Sequence, residues 1–166
     1  MIYLYNNNIN FLSVLRQRPQ AVAAFKGNDD YPNLSGFAKF FQTNIGVIVL
    51  LQVRNLPKGS DECDKKIHAV HIHSGNSCSG TEADPFADSM SHYNPADCLH
   101  PYHAGDMPPI FSCSGYAFSM FLTDRFSVKD IIGKTIIIHS GPDDFTTQPA
   151  GNSGDKIACG VIQSNR

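Results

Sequence analysis

The seven histidines of this 166-residue chain all lie between residues 68 and 139, and six of them fall between residues 68 and 103. Neutral imidazole is a common metal ligand in proteins, and nitrogen ligands of this kind bind zinc, copper or iron. Histidine-rich tracts also occur as solvated loops. The spacing of the rings favours metal binding, because it divides them into two groups with different ligand geometry.

The first group stands on a predicted β-strand. Side chains alternate across a strand, so His71 and His73 point to one face while Val70 and Ile72 point to the other. With a rise of about 3.3 Å per residue, the two histidines stand about 6.6 Å apart at the backbone and can lean onto one ion. His139 follows a run of isoleucines in which Ile136 and Ile138 can face the core, so that His139 points to the opposite face. A neighbouring strand can thus supply a third nitrogen. A pair of exposed polar positions is the alternative interpretation.

The second group lies in a long loop and consists of His92, His100, His103 and Asp106. Three imidazoles and one carboxylate form a closed tetrahedral set that suits structural zinc. A metal clip also offsets the conformational entropy that is lost when a loop of this length becomes ordered. A solvated polar loop is the alternative. Thiolate ligation is not favoured, because the five cysteines include no CxxC pair.

Composition limits the classes of function. Lys and Arg total 13 against 15 Asp and Glu, which gives a formal net charge of −2, and charged residues make up 17% of the chain. A general nucleic-acid or membrane-surface role is therefore not expected. The 42% of hydrophobic residues suffices for a core, and no apolar run approaches the ~18 residues that cross a bilayer. The first residues carry no basic segment of an export signal, which predicts a cytoplasmic location, with an extracytoplasmic one as the alternative.

Short β-type segments must position both groups of candidate metal ligands. They cover residues 21–25, 34–41, 46–53, 67–73, 115–122, 135–139 and 158–162. Together with 13 Gly and 10 Pro, they predict an antiparallel sandwich or barrel. Residues 74–109 are too long for an ordinary connection and predict a functional loop, and helices are expected at residues 11–16 and near 127–132. We expect residues 1–19 to form an N-terminal arm and residues 20–166 to form one domain.

Five segments of the chain resemble the copper/zinc superoxide dismutase family, in the family's order. They are VHIH at 70–73, SHYNP at 91–95, HAGD at 103–106, IIGKTIIIH at 131–139 and GNSGDKIACGVI at 151–162. Each segment is short, but the ordered set is specific, and the likeness spans about residues 20–162. The resemblance implies a Greek-key β-sandwich or flattened barrel of about eight antiparallel strands with long metal-binding loops.

The resemblance also implies a role for each candidate ligand. By this likeness, copper would be bound by His71, His73, His92 and His139, and zinc would be bound by His92, His100, His103 and Asp106, so that one histidine would bridge both metals. Asp143 corresponds to the carboxylate that links a copper histidine to a zinc histidine, a role that fixes ring orientation; a turn aspartate is the alternative. Cys78 and Cys159 correspond to a disulfide. The pairing of the remaining cysteines stays open; they are Cys63, Cys98 and Cys113.

The chain departs from the family pattern near the implied copper site. Lys156 stands where the family usually has an arginine; it keeps a positive charge for an anion but loses the planar fork of the guanidinium. Only two residues separate His100 from His103, and the loop after His139 is also shorter than usual. His68 has the parity of the core-facing positions, so a structural role is favoured over a ligand role.

The activity implied by the resemblance is antioxidant: superoxide is converted to dioxygen and hydrogen peroxide at copper that cycles between Cu(II) and Cu(I). His92 would be both ligand and proton carrier, zinc would hold it in place, and Lys156 would draw in the anionic substrate. A non-catalytic copper/zinc-binding protein on the same fold is the alternative. A zinc hydrolase is a third interpretation, but the chain has no HExxH motif. A homodimer is compatible with the resemblance, since family members pair in more than one way.

Overall fold

The computed structural model describes residues 10–61 and 66–165 and is built mainly from β-strands. The strands are β1 (Ala21–Gly27), β2 (Ser35–Thr43), β3 (Gly46–Arg54), β4 (Ile67–His68), β5 (Val70–His73), β6 (Ile110–Phe111), β7 (Tyr116–Thr123), β8 (Thr135–His139), β9 (Lys156–Val161) and β10 (Gln163–Ser164). The helices are α1 (Phe11–Leu15) and α2 (Val128–Ile131), with a 3₁₀ turn at Ala87–Ser89. None of the described helices has the length and apolar character needed to cross a membrane.

One curled antiparallel sheet contains most of the strands. Their order is β5-β8-β9-β1-β2-β3-β7, with β10 paired to β1, while β4 and β6 form a separate two-stranded sheet. Strands such as β5 and β8 are neighbours in the sheet but distant in the chain, which is the crossover expected of a Greek key. The structure confirms the predicted fold, an antiparallel Greek-key sheet of about eight strands with long loops.

The core lies on one face of the sheet, and parity decides which side chains enter it. Val70 and Ile72 of β5 pair with Ile138 and Ile136 of β8, and these side chains are buried in the main apolar cluster. The two histidines of β5 alternate with them and so occupy the opposite face. This confirms the predicted alternation, and it directs the histidine face toward the long loop, with which both histidines form isolated bridges.

The predicted strand at 67–73 is interrupted at Ala69, which separates β4 from β5. The amide of Ala69 donates to the carbonyl of Gly141, and its carbonyl accepts from the amide of His139. Residue 69 is therefore bonded to β8 and the loop that follows it, whereas β4 pairs with β6. The run reads as one strand in the sequence because hydropathy does not reveal that its two ends have different partners.

Residues 74–109 form the predicted long loop, with the 3₁₀ turn and a few isolated bridges as its regular structure. A disulfide joins Cys78 in this loop to Cys159 in β9, so the loop is tied to the sheet. Cys98 and Cys113 carry exposed free thiols within the described part of the chain. Cys63 lies outside the described residues.

Both short helices coincide with predicted helical segments. α1 begins after Asn10, whose side-chain oxygen accepts a hydrogen bond from the amide of Ser13 at 3.1 Å. α2 begins after Ser127, whose amide donates to the carboxylate of Asp130 at 3.0 Å. Residues 1–9 lie outside the described chain, so the division into an arm and a domain stays a prediction.

Candidate metal centre

The histidine face of the sheet meets the long loop at two clusters of potential ligand atoms. The first cluster is His71, His73, His92 and His139, and the second cluster is His92, His100, His103 and Asp106. In each cluster the ligand atoms, one per residue, lie within 4.8 Å of one another, and all of the residues are buried. The structure therefore brings together both groups that the sequence indicated, and His92 belongs to both.

The first cluster is assembled from two strands and the loop. Because β5 and β8 are adjacent and antiparallel, their histidine rings stand side by side, with centroids 4.9 Å apart for His71 and His139 and 5.5 Å apart for His73 and His139. The loop adds His92, which forms an isolated bridge with His73. The ring centroids of His73 and His92 are 5.0 Å apart.

One nitrogen of each ring in the first cluster is buried and has no hydrogen-bond partner among residues 10–61 and 66–165. These atoms are Nδ1 of His71 and Nε2 of His73, His92 and His139. A buried polar atom without a partner destabilises the folded state by roughly 1–3 kcal/mol, and one cation that accepts all of these lone pairs would satisfy them together. Nitrogen sets of this kind suit copper, so the residues fit a copper ion.

The second nitrogen of each strand histidine is anchored, which fixes the ring. His71 Nε2 donates to Asp143 Oδ2 at 3.0 Å, His73 Nδ1 donates to the Met90 carbonyl at 2.8 Å, and His139 Nδ1 donates to the Gly154 carbonyl at 3.2 Å. An acceptor on one nitrogen holds the proton there and leaves the lone pair of the other nitrogen for a metal. The anchors therefore select the tautomer that presents the unpartnered nitrogens.

Electrostatics keep the strand histidines neutral. Burial lowers the pKa of His71 and His73, and it lowers the pKa of His139 to about 3. Repulsion between neighbouring rings adds to the shift, while the hydrogen bond to Asp143 opposes it at His71. Neutral imidazole is the form that binds a metal, so protons compete weakly for these nitrogens near neutral pH.

The second cluster has the dimensions of a tetrahedral zinc site. With Zn–N distances of about 2.0–2.1 Å, neighbouring ligand atoms of a tetrahedron are about 3.3 Å apart. His100 Nδ1 and His103 Nδ1 lie 3.1 Å and 3.3 Å from Asp106 Oδ2, and His92 Nδ1 lies 3.3 Å from His103 Nδ1. The other oxygen of Asp106, Oδ1, lies 2.8 Å from His92 Nδ1. Both the donor set and its spacing fit zinc.

Asp143 connects the two clusters. Its carboxylate accepts hydrogen bonds from His71 Nε2 at 3.0 Å and His100 Nε2 at 2.8 Å, and the amide of Phe145 donates to it at 2.7 Å. Burial favours the neutral acid, yet these hydrogen bonds hold the pKa of Asp143 well below its usual range. Gly151 is needed beside it, because a Cβ there would overlap the carboxylate of Asp143. One ionised carboxylate thus orients one ring of each cluster.

A cavity of about 650 Å³ opens onto the first cluster, and its lining includes Lys156 of β9. The amine of Lys156 donates to Asp84 Oδ2 at 3.0 Å and to the carbonyl of Phe86 at 3.1 Å. Acidic residues also line this cavity; they are Asp30, Glu82, Asp84 and Asp155. Asp84 carries no local signal in the sequence, because its ion-pair partner Lys156 lies 72 positions away.

His68 belongs to neither cluster. Its side chain is fully buried, and Nδ1 donates to the backbone carbonyl of His139 at 2.8 Å. Burial lowers the pKa of His68, and the hydrogen bond to this carbonyl opposes the shift. The ring therefore supports the backbone that carries a ligand, which is a structural role.

Met90 adopts a backbone conformation that glycine favours. Its φ is 63° and its ψ is −149°, and a residue other than glycine is destabilised there by about 1–3 kcal/mol. We expect Met90→Gly to raise the free energy of unfolding by about 1 kcal/mol, after allowance for the greater freedom of glycine in the unfolded chain. Chemical denaturation of the metal-free protein measures the change. Met90→Leu keeps the strain and is the control; a glycine variant less stable than wild type would contradict this prediction.

Comparison with known proteins identifies the family of the chain. A family model described as copper/zinc superoxide dismutase (SODC) matches residues 34–162. The chain belongs to the copper/zinc superoxide dismutase family. Cu-Zn superoxide dismutase 2 of Aquifex aeolicus is 34% identical over 143 residues, which cover 77% of this chain and 78% of the relative. Cu-Zn superoxide dismutase of Deinococcus radiodurans is 32% identical over 154 residues, which cover 82% and 81%.

One protein that is similar to this chain is named as a copper chaperone and not as a superoxide dismutase. The human copper chaperone for superoxide dismutase is 30% identical over 164 residues, which cover 86% of this chain and 58% of the relative. Membership confirms the resemblance found in the five sequence segments. It supports copper and zinc as the cofactors of the two buried clusters.

Proposed function

We propose that the protein is a superoxide dismutase, which converts superoxide to dioxygen and hydrogen peroxide, with copper in the first cluster and zinc in the second. The position of His92 carries the proposal. Its Nε2 is one of the unpartnered nitrogens of the first cluster, and its Nδ1 lies 2.8 Å from Asp106 in the second cluster. A single imidazole can therefore serve two ions, which a site for one ion does not require.

Each residue of the site has a defined task in this reaction. A bound copper ion supplies one-electron redox chemistry. His71, His73 and His139 keep their ring orientation because each is anchored on its second nitrogen. His92 lines the cavity. Its Nε2 would hold either the metal or a proton, and in the protonated form it would pass that proton to the reduced substrate, while Nδ1 stays directed at the second cluster and keeps the ring in place.

Access of the substrate depends on charge at the cavity. Superoxide is a small anion, and Lys156 offers a positive group that attracts it. Asp84 forms an ion pair with the Lys156 amine and contributes a negative charge. The pair therefore attracts superoxide more weakly than a lysine without this partner would. The two residues therefore have opposite effects on the encounter with substrate.

We expect Lys156→Met to lower kcat/KM for superoxide about twofold and Asp84→Asn to raise it about twofold, because one charge ~10 Å away in water changes an anion's energy by about 0.4 kcal/mol, which is a factor of about two in rate. Pulse radiolysis at low ionic strength measures both values. Asp97→Asn is the matched control, since it makes the same change in net charge on a residue that is not among those lining the cavity. A lower rate for Asp84→Asn would contradict the assigned roles.

A non-catalytic role in copper binding or delivery is the second candidate. The name of the human relative and the ion pair that occupies Lys156 favour it. Metal analysis of the purified protein combined with a superoxide-consumption assay separates the two functions. We expect one copper and one zinc per chain together with catalysis, whereas stoichiometric copper without catalysis would overturn the proposed activity.

The disulfide suggests where the protein works. Cystine bonds persist in oxidising compartments and are rare in the cytoplasm, so the bond between Cys78 and Cys159 favours the extracytoplasmic alternative over the cytoplasmic expectation. Cell fractionation with trapping of free thiols tests this. The oxidised protein is expected outside the cytoplasm, and a reduced protein in the cytoplasm would contradict the proposal.

A further inference from the structure

Arg125 lies two residues beyond the end of β7, at the side of the loop that carries the second cluster. Its backbone amide donates to Thr123 Oγ1 at 3.3 Å, and the next residue, Phe126, is buried in the main apolar cluster. These contacts fix the base of the side chain to the sheet. The guanidinium therefore extends from a rigid position toward the loop.

The guanidinium binds three backbone carbonyls of that loop. Nη1 donates to the carbonyl of Pro101 at 2.8 Å, to that of His103 at 3.1 Å and to that of Asp106 at 3.3 Å. Two of these carbonyls belong to members of the second cluster, and the first directly follows His100. Nη1 carries two protons for three acceptors, so one proton is shared between carbonyls. Hydrogen bonds from an ionised donor are stronger than neutral ones.

Other hydrogen bonds also hold parts of residues 100–106: the side chain of Gln148 bonds both backbone groups of His100, the amide of His103 donates to Asp106 Oδ2, and Gly105 bonds to Tyr93 and Ile72. Within the described chain, the carbonyls of Pro101 and Asp106 receive their hydrogen bonds from Arg125. The amide of Tyr102 donates to the carbonyl of Leu99 at 2.8 Å, and the amide of Asp106 donates to the carbonyl of His103 at 3.2 Å. Three carbonyl oxygens directed at one point repel each other unless a cation lies between them. Arginine stays protonated and presents several donors in a fixed plane, so it meets this requirement before any metal binds.

We propose that Arg125 is a positioning residue for the second cluster: it prearranges the backbone of residues 101–106 so that the side chains of His100, His103 and Asp106 converge. The inference rests on the assignment of zinc to that cluster. Its basis is geometric, because the carbonyls that Arg125 binds lie on or beside the residues whose ligand atoms are 3.1–3.3 Å apart. Without the guanidinium, the carbonyls of Pro101, His103 and Asp106 lose their shared donor, so zinc has to supply the order that this donor gave, and the affinity for zinc falls by the corresponding amount.

The test is the zinc dissociation constant of the copper-free protein, measured with zinc alone by competition with a chromogenic chelator. Arg125→Met is expected to weaken zinc binding about 10- to 100-fold, the usual effect of losing a group that orients metal ligands. Arg125→Lys keeps the charge but not the fork, and we expect a loss of about three- to tenfold. Arg54→Met, an exposed residue at the end of β3, is the matched control and should leave zinc binding unchanged.

The outcomes separate positioning from general stability. If Arg125 only stabilised the fold, Arg125→Met would unfold more easily in the metal-free state but bind zinc within about twofold of wild type, and that result would overturn the inference. If Arg125→Met did not fold, Arg125→Lys would decide by the same twofold criterion. The measurement uses no superoxide, so an absence of dismutase activity would overturn the proposed function and leave this inference standing.

Discussion

Replacing His139 with alanine is expected to abolish superoxide turnover while zinc stays bound. The substitution removes one of the four nitrogens of the first cluster and leaves every ligand atom of the second cluster in place. Loss of a group that hydrogen-bonds to a metal ligand already lowers metal affinity or activity by up to about 100-fold. Loss of the ligand itself should therefore lower kcat/KM by more than that. Metal analysis and a superoxide-consumption assay on the same preparation measure both effects.

His103→Ala provides the reciprocal control. It removes a ligand of the second cluster only, so zinc should be lost while copper still binds. Opposite losses in the two variants would support the division into two sites. If His139→Ala lost both metals together, the assignment of the clusters to separate ions would be wrong.

Removing the disulfide is expected to have the largest effect on stability. Cys78 and Cys159 are 81 residues apart in the sequence. In the chain-entropy model, closing a loop of that size lowers the conformational entropy of the unfolded chain, which stabilises the folded state by about 4 kcal/mol. The paired substitution Cys78→Ala and Cys159→Ala should lower the free energy of unfolding by roughly that amount. Urea denaturation of the metal-free proteins measures the difference.

The free thiols supply the control for the disulfide prediction. Cys98 is exposed and unpaired within the described chain, so Cys98→Ala should change the free energy of unfolding by less than about 0.5 kcal/mol. The same loop carries Asp84 and Phe86, which hold Lys156, so the paired variant should also lose order at the cavity. A loss below about 1 kcal/mol would show that other contacts of the loop, not the covalent link, hold it on the sheet.

Local periodicity was sufficient to foresee the strand part of the site. The alternation of His71 and His73 with core residues follows from strand geometry alone, and β8 pairs with β5 in the register that this parity requires. The spacing of His100, His103 and Asp106 likewise indicated a tetrahedral set, and the ligand atoms converge. These features depend on residues that are close in the sequence, so the sequence could reveal them.

Contacts between distant segments could not be foreseen in the same way. Asp143 was indicated only through the family, since a turn aspartate has the same local pattern. The ion pair of Lys156 with Asp84 and the three carbonyls around Arg125 join segments that the topology brings together. Neither spacing nor composition carries that information.

The central claim is that His92 lies between two different ions, and an anomalous-scattering map of crystals loaded with copper and zinc tests it most directly. Data at the absorption edges of the two elements should place copper against Nε2 of His92 and zinc against Nδ1 of the same ring. A single ion, or a His92 ring that contacts one metal only, would contradict the account.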